Sequence, residues 1–139
     1  MKKALTVFIL SLACVIFFQK AIISSAEPTQ DSEELRLQDM LMNMLAPYIA
    51  KDLNNYYYPK ILKNFSPQVN PRKIEVIETK RLNGFRDLRL EITFDIEPTD
   101  GGHQVSVGKD RMTYEISFGP EVKLINHTHL KTYELPPES

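Results

Sequence analysis

The histidines are the side chains of this sequence best suited to bind a metal ion. His127 and His129 are separated by one residue, so on a β-strand both would project from the same face. His103 could join them if its turn lies near that strand. Three imidazoles with an open coordination position could hold zinc or copper. We favour the alternative that all three are exposed residues at strand ends, because no acidic residue lies at a spacing that would orient them.

A hydrolase is the alternative function for the same residues. His103, His127 and His129, with a nearby acid such as Asp100, could form a small metal-dependent or general-base site if they converge in a pocket. The sequence contains no assembled Ser-His-Asp pattern and no paired carboxylates in evidently apolar surroundings. We therefore assign no catalytic residue and no cofactor, and we favour a non-catalytic binding module over an enzyme.

The segment "VGKDR" is a candidate anion site. Gly108 could open a backbone nest flanked by the cations of Lys109 and Arg111, which would suit an anion or a carboxylate ligand. Asp110 would oppose such a ligand. A structural bulge explains the glycine without any ligand, and we prefer that interpretation.

Three consecutive tyrosines, Tyr56, Tyr57 and Tyr58, are a candidate contact surface. If they are helical, at least one ring faces solvent, because successive residues are about 100° apart around a helix. Exposed tyrosines suit contact with a protein or a cell-wall polymer. The alternative is that this helix end packs on the rim of a sheet.

The methionines of "MLMNML" offer another metal chemistry. Met40, Met42 and Met44 carry thioethers, which can bind Cu(I) in an exported protein. On a helix, Met42 points away from the other two. We therefore interpret the three methionines as adaptable core residues.

The N-terminus predicts export. "MKK" precedes the apolar run "ALTVFILSLACVIFF", which is the pattern of a secretory signal peptide. Small residues follow the run, and we expect cleavage between Ala26 and Glu27. The alternative is an uncleaved anchor, since the stretch from Ala4 to Ile23 approaches the ~20 residues that span a bilayer, although Lys20 interrupts it.

Removal of a signal peptide over residues 1–26 would leave a single domain over residues 27–139. That domain has 14 basic and 18 acidic residues, a balance of −4, which argues against a nucleic-acid surface or a polybasic membrane patch. Cys14 is the only cysteine and lies in the predicted signal peptide, so the domain would have no disulfide and no thiolate site. We expect a secreted or extracytoplasmic protein with an unknown protein or cell-wall partner, and no membrane insertion after cleavage.

Residues 31–58 are predicted to be helical, with Asp31 or Ser32 as the cap. Pro47 interrupts the segment, so the pattern predicts either one bent helix or a pair of helices. A proline-punctuated connector follows over residues 59–72. One helix face is predicted to be buried, formed by Leu37, Leu41, Met44, Tyr48 and Leu53.

Residues 73–131 alternate between apolar and polar with a period of two, which predicts a sheet. Asn83-Gly84 predicts a two-residue type I′ turn that pairs Lys80 with Asp87 and Glu78 with Arg89. The apolar face of the strand after this turn is predicted to consist of Leu88, Leu90, Ile92, Phe94 and Ile96.

The alternation changes phase between Val107 and Met112, which requires a bulge or a turn at residues 108–110. "VKLIN" is predicted to be a fourth strand, and residues 132–139 to be a tail. The predicted fold is therefore α+β, with a bent helix or helix pair packed on an antiparallel meander of about four strands.

Several blocks of the sequence resemble one family. "NGF", "VGKDR" and "HLKTYELP" are the most distinctive blocks of a resemblance that extends from about Glu34 to Pro137. The family consists of small exported proteins of Gram-positive spore-forming bacteria and is catalogued as domain of unknown function 3888. The resemblance implies export and a compact domain, and it transfers no catalytic residue.

Overall fold

The computed structural model describes residues 31–102, 104–119 and 121–134. These residues form one α-helix and one four-stranded antiparallel sheet, which confirms the predicted α+β class. The predicted signal peptide, with its cleavage site between Ala26 and Glu27, lies outside the described residues, as do His103 and the end of the predicted tail.

Helix α1, Glu33–Tyr57, continues without interruption through Pro47. The alternative of a helix pair is therefore wrong. Pro47 has no N–H to donate to the carbonyl of Asn43, but Pro47 is exposed, so this carbonyl is not forced into an apolar core. Leu45 and Ile49 flank the proline and pack into the same hydrophobic core, which holds the two halves of the helix together.

The buried face of α1 is not the predicted one. Of the predicted stripe only Leu53 is fully buried, while Leu41 is half-buried at the margin of the core. The predicted residues that are exposed are Leu37, Met44 and Tyr48. Two sets of apolar residues recur every three or four positions, so periodicity alone could not show which set the sheet would cover. The residues that α1 buries are Met42, Leu45, Ile49, Leu53 and Tyr57.

The methionine interpretation is correct for one of the three residues. Met42 is almost completely buried and contacts the core. Met40 and Met44 are exposed on the opposite side of the helix, with Met44 72% exposed. They are surface residues and not core residues.

The sheet has the strand order β1-β2-β3-β4, and each strand is antiparallel to the next. A single 3-10 turn, Pro71–Lys73, leads into it, and the side chain of Asn70 accepts a hydrogen bond from the backbone N–H of Arg72 at the start of that turn. The strands are β1 (Ile74–Arg81), β2 (Leu90–Ile96), β3 (Gly108–Ser117) and β4 (Glu121–Thr132).

The loop between β1 and β2 is longer than the predicted two-residue turn. Arg81 pairs with Leu90, so residues 82–89 form the loop. Asp87 organises it, because its side chain accepts a hydrogen bond from the N–H of Arg89 and its carbonyl accepts one from the Arg81 guanidinium. Phe85 at the tip is 95% exposed.

The charge pairs predicted across this turn are also wrong. Lys80 lies opposite Glu91, and its Nζ is 2.6 Å from a carboxylate oxygen of that residue. Glu78 lies opposite Thr93. The register differs because the loop includes Leu88, which is exposed and not part of the core, so that strand pairing begins at Leu90.

The inner face of the sheet forms the core together with α1. In β2 the predicted alternation is confirmed for Ile92, Phe94 and Ile96, which are all buried. The rings of Phe94 and Tyr114 stack with their centroids 6.0 Å apart. Tyr114 also donates a 2.8 Å hydrogen bond from its hydroxyl to Asp52 of α1, which ties the helix to β3.

The predicted irregularity near Asp110 is present, but the extra residue lies on the neighbouring strand. Lys109 pairs with Lys131 and Asp110 pairs with His129, so Leu130 of β4 is the bulged residue. Between β2 and β3 the pairing is regular as far as Asp110. The side chain of Asp110 therefore lies on the inner face of the sheet, at the end where α1 terminates.

Candidate functional site

A polar cluster lies where the end of α1 meets the start of β3. At its centre is Asp110, which is 0% exposed. Strand β4 places two histidines beside it, because residues two apart on a strand share a face. The last turn of α1 adds two tyrosines. We call this group the Asp110 cluster: Tyr56, Tyr57, Asp110, His127, His129 and Thr132.

The carboxylate of Asp110 has three side-chain partners. Its Oδ1 lies 2.9 Å from His127 Nε2 and 2.9 Å from His129 Nδ1. Its Oδ2 accepts a 2.5 Å hydrogen bond from the Tyr57 hydroxyl. A buried carboxylate without such donors would be strongly destabilising, so the three bonds explain how an acid is accommodated at the edge of the core.

The electrostatics favour an ionised Asp110. Burial alone would raise the pKa of this carboxyl, but hydrogen bonds from His127, Tyr57 and His129 outweigh burial and lower the pKa below its ordinary value. Burial and the neighbouring Asp110 raise the pKa of Tyr57, so this tyrosine remains a protonated donor. Because an ionised carboxylate only accepts, the two ring nitrogens that face it both carry hydrogen.

The bond to Asp110 fixes the chemistry of the other nitrogen of His129. With hydrogen on Nδ1, the Nε2 of a neutral ring is an acceptor, and it lies 2.7 Å from the Thr132 hydroxyl. Thr132 therefore donates to His129, which in turn donates to Asp110. A hydroxyl, an imidazole and a carboxylate in this order are the arrangement by which a general base activates a hydroxyl group.

Tyr56 packs against both histidines of the cluster. Its ring centroid is 4.8 Å from that of His127 and 5.2 Å from that of His129, and it meets Tyr57 edge to face at 5.3 Å. Tyr56 is half-buried, and Tyr58, just beyond the helix end, is exposed. The cluster thus presents an aromatic surface over a buried charge.

Gly108 makes room for the Asp110 cluster. A Cβ atom at this position would lie 2.6 Å from the backbone oxygen of Lys131 and 3.1 Å from Cε1 of His129, and it would also collide with the Tyr57 hydroxyl. Only glycine allows this close approach. The glycine that was interpreted as part of a nest or a bulge therefore has a packing role.

Lys109 and Arg111 lie on the outer face of the sheet, opposite to the Asp110 cluster. Arg111 donates two hydrogen bonds to the carboxylate of Asp95, at 2.7 and 3.0 Å, and Lys109 Nζ is 3.5 Å from the same group. The hydrogen bonds from Arg111 lower the pKa of Asp95, although burial opposes them. The two cations of the predicted anion site are thus bound to a carboxylate of the fold itself.

The structure brings together four of the predicted site residues, namely Tyr56, Tyr57, His127 and His129. The interpretation of His127 and His129 as exposed strand-end residues without an acidic partner is wrong, because both side chains are mostly buried and both contact Asp110. The acid proposed for them, Asp100, accepts a hydrogen bond from the backbone N–H of Val105 in another loop.

Asp110 is the residue that sequence reasoning missed, although a signal for it exists. It precedes Met112 and Tyr114 by two and four positions, so it shares the apolar phase of β3. An acid in the apolar phase of a strand must find buried donors. Thr132 was likewise missed, because it was assigned to the tail.

The predicted metal site lies partly outside the described residues, because it includes His103. Among the residues that are described, no group of three or more His, Cys, Asp or Glu side chains could hold a metal ion.

Within the described part of the chain, no helix combines the length and the apolar character that crossing a membrane requires.

Comparison with known proteins identifies a family. No curated protein and no solved structure matches the chain. A family model described as a protein of unknown function, DUF3888, matches residues 37–131. The matched range covers most of α1, the whole of β1 to β3 and all of β4 except Thr132, and it includes every residue of the Asp110 cluster except Thr132. The chain belongs to the DUF3888 family.

Proposed function

We propose that this protein is an exported, non-catalytic binding module that contacts its partner through the open side of the Asp110 cluster. One observation carries this proposal. The ring of Tyr56 lies against both imidazoles, and the buried carboxylate of Asp110 binds a ring nitrogen of each imidazole. The result is a rigid aromatic surface that is still partly accessible.

Rigidity favours binding because little conformational entropy is lost when a partner associates. His127 and His129 cannot rotate without breaking their bonds to Asp110, and the ring of Tyr56 contacts both of them and Tyr57. The aromatic rings offer apolar area, while imidazole and hydroxyl groups at their edges offer hydrogen bonds. This combination suits a sugar ring of a cell-wall polymer, and a protein partner is the alternative.

The location of the partner follows from the predicted signal peptide. The basic start and apolar run of residues 1–26 favour export, and cleavage between Ala26 and Glu27 would release the domain outside the cytoplasmic membrane. An uncleaved segment would keep the same surface at the envelope. Both arrangements expose the domain to wall polymer.

Co-sedimentation with purified cell-wall sacculi tests the proposal. The full chain is expressed in its native host, purified as the host processes it, and mixed with sacculi from that host. We expect binding that falls about fivefold or more in the Tyr58→Ala and Tyr56→Leu variants, as for central aromatic contacts. Phe85→Ala is the matched control, because Phe85 is an exposed aromatic residue at the opposite end of the sheet.

The outcome separates three cases. Loss of binding in the tyrosine variants alone supports the proposed surface. Equal binding by all variants would place the contact elsewhere on the domain. If the wild-type protein does not sediment with sacculi but is retained by a specific envelope protein, the partner is a protein, and the tyrosine variants then test whether the same surface is used.

A small hydrolase is the second candidate, because Thr132, His129 and Asp110 form a continuous hydrogen-bonded series. In such an enzyme the Thr132 hydroxyl would attack an ester carbonyl while its proton moves to His129 Nε2. The leaving alcohol would take that proton. Water would then attack the acyl carbonyl and give a proton to His129 Nε2. His129 would pass that proton to the departing Thr132 oxygen, which releases the carboxylic acid and restores the starting state.

Hydrolysis of an activated ester such as p-nitrophenyl acetate tests this candidate. Activity that is lost in Thr132→Ala, retained in Thr132→Ser and accompanied by an acetyl adduct on Thr132 would favour the hydrolase. A rate equal to that of free imidazole, with no adduct by intact-protein mass spectrometry, would leave the binding module as the function that the geometry supports.

A further inference from the structure

We infer that a second copy of this chain docks on the exposed side of α1 and that the two helices pair antiparallel. This inference is independent of the proposed binding function. The basis of the inference is the exposed part of the helix stripe that the sequence predicts to be buried, namely Leu37, Met44 and Tyr48. We call this surface the Met44 face, and it consists of Glu33, Leu37, Met40, Met44, Tyr48 and Lys51.

The Met44 face is the side of α1 that the sheet does not cover. At about 100° per residue, Leu53 of the core face lies about 180° from Met44 around the helix. Leu37, Met40 and Tyr48 lie within roughly 40° of Met44 and are 55%, 54% and 39% exposed. A helix with apolar residues on two opposite sides has a second surface to bury.

The residues of this face are arranged symmetrically about position 42. Position 42 is the midpoint between Met40 and Met44, and it is also the midpoint between Glu33 and Lys51. In an antiparallel pair with a two-fold axis at this position, Met40 of each copy meets Met44 of the other. Glu33 of each copy then lies opposite Lys51 of the other, with one such pair at each end of the contact between the two helices, which we call the seam.

Charge complementarity therefore accompanies apolar contact. Glu33 and Lys51 both lie about 20° from Met44 around the helix, so they extend the same stripe at its two ends. Opposite charges at the ends of an antiparallel seam favour that orientation over a parallel one, in which like charges would meet. Tyr48 of one copy would cover Leu37 of the other, which buries the remaining apolar residues of the face.

The charges of α1 favour a protein partner over a lipid surface. Helices that lie on anionic membranes carry Lys and Arg beside their apolar stripe. Helix α1 has two basic residues, Arg36 and Lys51, and four acidic residues, a balance of −2. The acidic residues are Glu33, Glu34, Asp39 and Asp52.

Sedimentation velocity measures the association directly. The full chain is expressed in its native host and purified in the form that the host leaves, and its oligomeric state is followed from about 1 to 100 µM, the range for weak to moderate dimers. We expect a monomer–dimer equilibrium. Met44→Glu, which places two charges in the seam, should raise the dimer dissociation constant about tenfold or more, whereas the matched control Met44→Leu should not.

Carbodiimide cross-linking tests the antiparallel register without any substitution. This reagent joins a carboxylate to an amine that is in contact with it. Within one helix, Glu33 and Lys51 are about 27 Å apart at 1.5 Å per residue, so a Glu33–Lys51 cross-link can form only between two copies. Lys80 and Glu91, 2.6 Å apart within one chain, are the internal positive control for the reaction.

A dimer that Met44→Glu dissociates and that gives the Glu33–Lys51 cross-link supports the inference. A protein that stays monomeric throughout the concentration range overturns it, including the case in which the face binds lipid vesicles instead. A dimer that Met44→Glu does not weaken also overturns it. So does a dimer in which the Lys80–Glu91 control forms and the Glu33–Lys51 cross-link does not.

Discussion

The hydroxyl of Tyr57 donates a 2.5 Å hydrogen bond to Asp110, and this bond joins the last residue of α1 to β3 across the edge of the core. Both residues are buried. The Asp110 cluster is therefore part of what holds the helix on the sheet as well as a candidate site. Any variant of the cluster must be judged on folding stability and on binding separately.

Tyr57→Phe should destabilise the domain by about 1.5 to 3 kcal/mol, the range for a hydrogen bond to a charged group. The change removes only the donor and leaves the ring packed. Chemical denaturation followed by circular dichroism measures the effect. Tyr48→Phe, at an exposed tyrosine of the same helix, should change the free energy of unfolding by less than about 0.5 kcal/mol. Equal effects of the two variants would contradict a structural role for the Tyr57 hydroxyl.

Acid should unfold the domain partly through Asp110. The pKa of this carboxyl is lowered in the folded protein, so its stabilising contribution is present above the ordinary carboxyl pKa of about 3.9 and is lost as pH falls through the lower folded value. His127, His129 and Tyr57 are the groups that face it. Asp110→Asn removes this titration.

The measurement is the free energy of unfolding between about pH 6 and pH 2. The wild-type curve should fall more steeply below about pH 4 than that of Asp110→Asn. Asp39→Asn, at an exposed position of α1, is the control and should leave the fall in the free energy of unfolding below about pH 4 unchanged. A wild-type curve parallel to that of Asp110→Asn would show that Asp110 does not contribute.

Asp95→Asn should also reduce the fall in the free energy of unfolding at low pH, because the bidentate contact with Arg111 lowers the pKa of this carboxyl. Asp95 lies on the opposite sheet face from Asp110 and shares no side-chain partner with it. The effects of the two substitutions should therefore add within about 0.5 kcal/mol. A double variant measured against both single variants provides the check, and a large departure from additivity would indicate that the two faces are coupled.

Gly108→Ala should destabilise the domain by about 1 to 3 kcal/mol, because the added methyl group overlaps the carbonyl of Lys131 and the ring of His129. Gly102→Ala is the matched control, since the nearest atoms to its Cβ would be those of the Phe65 ring at 3.7 Å or more. Thermal denaturation of both variants distinguishes them. A tolerated Gly108→Ala substitution would mean that the helix end moves away from β3 easily.

The fold class was predictable because alternation in strands is a local signal. Ile92, Phe94 and Ile96 lie where their period places them, since one strand face must be apolar to pack on a helix. The turn at Asn83-Gly84 was not predictable from that dipeptide alone. Hydrogen bonds of Asp87 stabilise a longer loop, which moves the strand register.

The buried face of α1 and the acid of the candidate site were harder to predict for different reasons. The helix has two apolar stripes, and only tertiary packing decides between Met42 and Met44. The acidic partner of the histidines depends on a strand pairing that brings Asp110 next to His129. The spacing of residues along the chain does not indicate that contact. The phase of Asp110 within β3 indicates only that this acid is buried and needs hydrogen-bond donors.

Both edge strands of the sheet are interrupted by bulged residues. Strand β1 has its irregularity at Ile77, and β4 has two, at Ile125 and Leu130. A β4 of 12 residues with a straight edge could add a strand from another chain and begin an aggregate. The bulges interrupt that geometry and disfavour the addition of further strands, so the proposed pairing of two copies through α1 would not extend into an aggregate along the sheet.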